Sequence, residues 1–235
     1  MTYREHPAPA ALTPWLDCGW ERSGIAGAPV RVLPDGCIDI VWTEGRGVKV
    51  VGPNTTAFVV PLDDGVRVAG VRMRPGGAPP LLGIDAGALR DGSAPIEQVS
   101  GDAGRLLEQE LEDGGGDGAV AVLLAAVLDQ ARRSIAPDPL VHAAVGRLCD
   151  PRTRVEALAD ELAVSTRQLR RRFETAVGYG PKRLARVLRL ERALAAARSG
   201  DELAQAAAAA GYADQAHFAH DCRALAGVSP GALVV

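Results

Sequence analysis

The sequence predicts an α+β chain. A β-rich, barrel- or jelly-roll-like amino-terminal domain precedes an all-α carboxyl-terminal domain with two helix-turn-helix units joined by a long helix. Three observations lead there. Between residue 15 and about residue 75, short β-branched runs alternate with Gly, Pro and Asp at the roughly 8–12-residue spacing of antiparallel strands. From Val155 onward the apolar spacing becomes helical: Val155, Leu158, Ala159 and Leu162 follow the i, i+3, i+4, i+7 pattern. A helical layout then recurs at an offset of 49 residues, pairing Ser165 with Asp214, Leu169 with Phe218, Phe173 with Cys222, Gly178 with Gly227 and Pro181 with Pro230. A fixed offset over this many positions indicates an internal duplication.

Taken in order, His6 to Thr13 is a Pro/Ala run that reads as a tail. Strand signals follow at Val30–Leu33, Cys37–Trp42, Val48–Val51, Ala57–Val60 and Val66–Met73, with a Pro34-Asp35-Gly36 turn after the first. Pro75-Gly76-Gly77 ends this part. Helices are expected around Leu106, Leu107 and Leu111 and over Val120–Leu128, separated by Gly114-Gly115-Gly116. This helix pair could cover the β half or form a dimer seam. The expected division is 1–115 as a regulatory, effector-binding domain, 116–136 as a helical linker or dimerisation helix, and 137–235 as the DNA-binding domain.

Charge separates the two halves. Net charge is −3 overall, yet residues 151–198 hold 12 Lys and Arg against 5 Asp and Glu, a nucleic-acid footprint. The amino-terminal half offers little for catalysis. Before His142 its only histidine is His6, so no His/Glu cluster can hold a catalytic metal, and no cofactor is expected. A small-molecule cavity is the better expectation, with Asp35, Cys37, Asp39, Trp42 and Arg72 as candidate lining. The plainer reading makes Cys37 and Trp42 core residues and gives Asp35 to the Pro-Asp-Gly turn. A redox role for Cys37 lacks a basic neighbour in sequence to activate the thiol. The four cysteines form no CxxC pair, the longest apolar run (Ala119–Leu128) is too short to span a bilayer, and no leader pattern is seen. A cytoplasmic protein without membrane contact is expected.

In the carboxyl-terminal half, Ser165 is a good helix N-cap, Leu169 and Phe173 give one apolar face, and Arg167, Arg170 and Arg171 project elsewhere. Pro181 opens a long helix to about Arg198, as proline does in a first turn. Leu203–Ala210, Gly211-Tyr212-Ala213 and Asp214–Leu225 then repeat scaffold, turn and recognition helix. At His217, His220 and Cys222 a partial metal site could be drawn, but a further ligand is missing and packing or DNA contact explains these residues better.

Several runs resemble the AraC/XylS family of bacterial transcriptional regulators. They are Arg189-Leu190-Glu191-Arg192-Ala193, Ala209-Ala210-Gly211-Tyr212-Ala213-Asp214-Gln215-Ala216-His217-Phe218 and Gly227-Val228-Ser229-Pro230. The Pro-Asp-Gly-Cys-Ile-Asp and Arg-Pro-Gly-Gly segments also look like the β-rich sensor half of one branch. The resemblance implies a double helix-turn-helix on double-stranded promoter DNA, an upstream regulatory domain taking a small-molecule effector, and often a homodimer. An activator of this kind would also engage RNA polymerase. The base-facing set is then Arg167, Gln168, Arg170 and Arg171 in the first unit, with Gln215, Ala216, His217 and His220 in the second. Ser165, Thr166, Lys182, Arg186 and Arg189 would meet phosphates.

The second unit departs from the family pattern, with His220 where an arginine is usual and Cys222 where an aromatic is usual. Residues 199–235 hold 1 basic residue against 4 acidic ones, so the first unit should dominate affinity and the second tune it. A pH dependence is expected where a histidine stands in for an arginine. The alternative function is a β-domain small-molecule binder or enzyme carrying a vestigial DNA domain.

Overall fold

A computed structural model describes residues 2–23, 29–61, 63 and 65–234. The β half is a six-stranded antiparallel sheet in the order β1-β2-β7-β4-β5-β8, with a separate β3-β6 ribbon. The strands are β1 (Thr2–Pro7), β2 (Leu16–Ser23), β3 (Val30–Val32), β4 (Ile38–Thr43), β5 (Gly47–Val51), β6 (Phe58–Val60), β7 (Arg67–Met73) and β8 (Ser93–Pro95). β1 and β8 form the two edges. The segment read as a tail thus begins with a strand, His6 lying in β1 and pairing with Gly19 in β2.

Alternation decides what each strand residue can do. In β4, Ile38, Ile40 and Trp42 are buried on one face, while Asp39, Val41 and Thr43 lie on the other. The buried face is covered by α2 (Ile96–Asp113, bent at Gly101) and α3 (Ala119–Ala131). Val120, Leu123 and Val127 of α3 belong to the same core as Ile40, Trp42, Val50 and Val71. The region expected as a linker or dimerisation helix therefore contains a layer of the β half. Approach is tight: a Cβ on Gly116, held at φ +77°, would fall 2.0 Å from the Trp42 ring, so glycine is required there.

The short helix α1 (Ala78–Leu82) leads into a 3₁₀ turn over Ala86–Leu89. The helical half contains α4 (Pro139–Leu148), α5 (Val155–Glu161), α6 (Thr166–Val177), α7 (Pro181–Arg198), α8 (Leu203–Ala209) and α9 (Gln215–Asp221). Two cores form here. Leu148, Leu158, Leu169, Phe173 and Leu184 make the first, and Leu190, Leu194, Tyr212, Phe218 and Leu225 the second. Helix α7 serves both, with Leu184 in one and Val187 and Leu190 in the other.

The β half touches both units. Gly178, at the end of α6, would bring a Cβ within 2.5 Å of Pro53, and Arg90 donates to its carbonyl at 3.2 Å. Arg183 of α7 donates to the Thr55 carbonyl. At the second unit, Arg31 donates to the Ala226 carbonyl at 2.9 Å, and the Ala57 N–H donates to that of Leu225 at 2.6 Å.

Candidate nucleic-acid interface

Local chemistry fixes the start of α6. Ser165 Oγ accepts the Gln168 N–H at 3.2 Å, while Gln168 Oε1 accepts the Ser165 N–H at 2.9 Å, a reciprocal capping box. Leu169 and Phe173 are fully buried, and their packing leaves Arg167, Arg170 and Arg171 exposed on one helix. Arg170 also pairs with Glu174 at 2.8 Å, an exposed i,i+4 contact that competes weakly with phosphate. Gln168, expected to face bases, uses its carbonyl oxygen in the cap. Ser165 and Thr166 lie exposed at the amino end of α6, the end of a helix that attracts phosphate.

The second unit repeats the backbone. Asp214 Oδ1 accepts the His217 N–H at 2.7 Å, and Gly227, like Gly178, closes its helix with a left-handed residue at φ +73°. After Asp221 the helix widens into a π-turn over Cys222–Ala226. Gln215, Ala216 and His220 are exposed, whereas His217 stacks edge-on against Tyr212 with ring centres 5.0 Å apart.

Two of the three residues expected to meet phosphate along α7 are occupied inside the protein. Arg186 pairs with Asp221 at 2.6 Å, and Asp221 is only 2% exposed, so this guanidinium neutralises a buried carboxylate. Arg189 lies over the Tyr212 ring at 5.4 Å. Sequence spacing placed both on one helix but could not show that α9 and Tyr212 pack there. Lys182 reaches Glu156 at 2.6 Å, with both side chains largely exposed. Sequence reasoning missed Arg90, an exposed residue of the β half that shares a polar cleft with Arg170 and Arg171.

A helix-turn-helix domain model matches residues 158–234, and a domain of unknown function (DUF6597) matches residues 4–95. Residues 158–234 are an AraC-type helix-turn-helix domain. The chain is accordingly a DNA-binding regulator. Among curated proteins no match is found. Solved structures of ToxT from Vibrio cholerae align at low identity. The O395 protein is 9% identical over 99% of this chain and 96% of that one, with TM-score 0.47. A form bound to (E)-4-(8-methylnaphthalen-1-yl)but-3-enoic acid is 11% identical over 100% and 98%, also at 0.47. Wild-type ToxT from strain SCE256 with bound unsaturated fatty acid is 12% identical over 92% and 93%, at 0.46. No helix of the described residues is long and apolar enough to cross a membrane.

The expected effector residues separate into two groups. Asp35, Cys37, Asp39 and Arg72 come together: Arg72 Nε lies 3.5 Å from Asp35 and 3.6 Å from Asp39, its partner across the β4–β7 ladder. Trp42 is not with them. Three residues from Asp39 in one strand, it faces the opposite way and is 3% exposed in the core. Asp35 also accepts the Cys37 N–H at 2.9 Å, as the turn reading expects. One residue of the AraC-type half reaches this group. The Tyr179 hydroxyl would lie 3.3 Å from a Cβ on Gly36, which stands between Asp35 and Cys37 in the chain.

Burial dominates the electrostatics of this junction, disfavouring ionised forms. It pushes Asp39 up to about 7, with Arg72 opposing, and Glu191 up to about 8. Burial and the neighbouring Asp35 and Asp39 carboxylates also hold the Cys37 thiol well above its usual range, arguing against an activated thiolate.

Proposed function

We propose that this chain is a sequence-specific transcriptional regulator that sets α6 and α9 into successive major grooves on one face of promoter DNA. The carrying observation is the capped α6, with Leu169 and Phe173 anchored inside and Arg167, Arg170 and Arg171 outside. Arginine reads guanine in the major groove through paired hydrogen bonds. Gln215, Ala216 and His220 occupy the corresponding exposed surface of α9. Ser165, Thr166 and Lys182 position the backbone, and Arg90 extends the basic surface of α6. Arg186 and Arg189 hold α7 against the second unit.

The β half controls binding through an effector at its junction with the helical half, where Asp35, Cys37, Asp39 and Arg72 gather. Contacts from Arg31, Ala57 and Arg90 give that half a purchase on both units. The functional division is residues 1–136 as sensor and 137–235 as DNA reader, in the cytoplasm.

The test is binding of the full chain to duplexes selected from a random pool, measured against salt. Each neutralised phosphate contributes about −0.9 to the log–log slope, and a slope of about −4 is expected. A slope near zero would refute DNA binding.

A further inference from the structure

The 3₁₀ turn over Ala86–Leu89 packs against the end of α6. A Cβ on Gly178 would fall 3.1 Å from the Ala86 carbonyl oxygen, and one on Gly87 3.4 Å from that of Glu174. Between turn and helix runs an open cleft of about 670 Å³, whose lining includes Asp85, Arg90, Arg170, Arg171, Glu174 and Thr175. Arg170 and Arg171 come from α6, and Arg90 comes from the β half.

The carboxylates of the cleft are engaged within the protein. Glu174 accepts from Arg170 Nε at 2.8 Å, and Asp85 Oδ1 accepts the Gly87 N–H at 2.7 Å. Among the described residues, by contrast, Arg90 and Arg171 have no carboxylate at ion-pair distance, whereas Arg170 pairs with Glu174 and Arg172 with Asp138. Arg90 Nη1 donates to the Gly178 carbonyl at 3.2 Å. That bond anchors the guanidinium beside α6 and leaves its remaining N–H groups open. A fork held in this way loses little freedom on meeting an anion.

A helix with its side chains is about 10–12 Å across and the major groove about 12 Å wide, so a seated helix fills the groove. Whatever stands beside that helix meets the phosphate backbone forming the groove wall. With Arg170 and Arg171 turned to the bases, the cleft that they share with Arg90 opens onto this wall. Arg90 is exposed there, and its paired donors match phosphate oxygens.

We propose that this cleft is a phosphate clamp, in which Arg90 of the sensor half holds one backbone phosphate while Arg170 and Arg171 on the opposite wall reach the bases. The sensor half is then itself part of the DNA interface. Its contact lasts only while the 3₁₀ turn stays docked on α6, so a shift of the halves loses one phosphate contact. The clamp rests on the DNA reading above and extends it to a second part of the chain.

The experiment titrates the full chain against salt on two duplexes of equal length, one selected from the random pool and one of unrelated sequence. Arg90→Gln should weaken both by the same factor, about three- to tenfold, and bring the log–log slope from about −4 to about −3. Arg90→Lys, which keeps the charge, should hold the slope. Arg171→Ala should instead penalise the selected duplex more than the unrelated one. Ala88 is an exposed residue of the same cleft, and Ala88→Lys should steepen the slope to about −5. That gain cannot come from a loosened junction, so Ala88→Lys decides alone should Arg90→Gln lose its fold. The proposal is overturned if Arg90→Gln leaves the slope unchanged whatever its affinity, because the arginine then only ties the halves through Gly178. It is overturned too if the loss falls on the selected duplex alone, or if Ala88→Lys leaves the slope unaltered. Melting in inorganic phosphate against chloride at equal ionic strength tests for a free anion. Stabilisation that Arg90→Gln abolishes, without a change of slope, makes the cleft an anion site instead of a clamp. A flat wild-type slope sinks the DNA reading itself; a normal wild-type slope that Arg90 does not affect sinks the clamp alone.

Discussion

In the first helix-turn-helix unit, Ser165 and Gln168 cap each other, Phe173 fills the core and three arginines face outward; in the second, Asp214 caps alone, Cys222 takes the aromatic's place and the outward face carries Gln215, Ala216 and His220. The frame has been kept while the chemistry has diverged. Both helices end on a left-handed glycine, and both proline partners open the next turn. What the second unit gains is a set of internal ties: Arg186 to Asp221, and Arg189 and His217 to Tyr212. Arg186 and Arg189, expected to meet phosphate along α7, tie the second unit to that helix instead.

The comparison can be broken most forcefully in the cores. Phe173→Ala should cost about 3–5 kcal/mol in denaturant unfolding, because it empties a fully enclosed site. Cys222→Ala, at the matched buried position, removes one sulfur and should cost about 1 kcal/mol. Equal losses would mean that the second core is no smaller than the first.

On the DNA side, Arg171→Ala should weaken binding about 10- to 100-fold, the span expected for an arginine that reads a base. His220→Ala should change it by less than about threefold, since a rim contact carries little energy. Anisotropy titrations at one salt concentration decide this, and a histidine variant as damaging as the arginine variant removes the asymmetry.

The smallest effect lies in the turns. The first unit places Ala163 at φ +53°, where the second has Gly211 at φ +91°. A Cβ in the left-handed region costs about 1 kcal/mol, so Ala163→Gly should stabilise and Gly211→Ala destabilise by about that much. Melting curves showing the same sign for both would mean that the two turns are not equivalent.

The helical half was largely readable in the sequence because its determinants are local: caps three residues apart, apolar periodicity, and a repeat that checks itself. The β half was readable only in outline. β1 was taken for a tail because its ladder partner lies more than ten residues away, and the three-residue β8 carries too short a pattern to notice. Trp42 was grouped with Asp39 although strand parity already puts them on opposite faces. The pairing of Arg186 with Asp221, and the approach of Tyr179 to Gly36, depend on contacts between distant segments. No local spacing encodes them.

Helix α7 sets a constraint of a different kind. Its 18 residues run about 27 Å at 1.5 Å per residue, with one core gripping each end. Adding a residue between Leu184 and Leu190 would lengthen the span by only ~1.5 Å but swing the far unit by about 100°, since each residue turns the helix by that angle. The helix therefore fixes both the separation and the relative rotation of the two units. DNA between the two half-sites could drift in sequence, yet an insertion there would move the second half-site away from a reader of fixed length and phase.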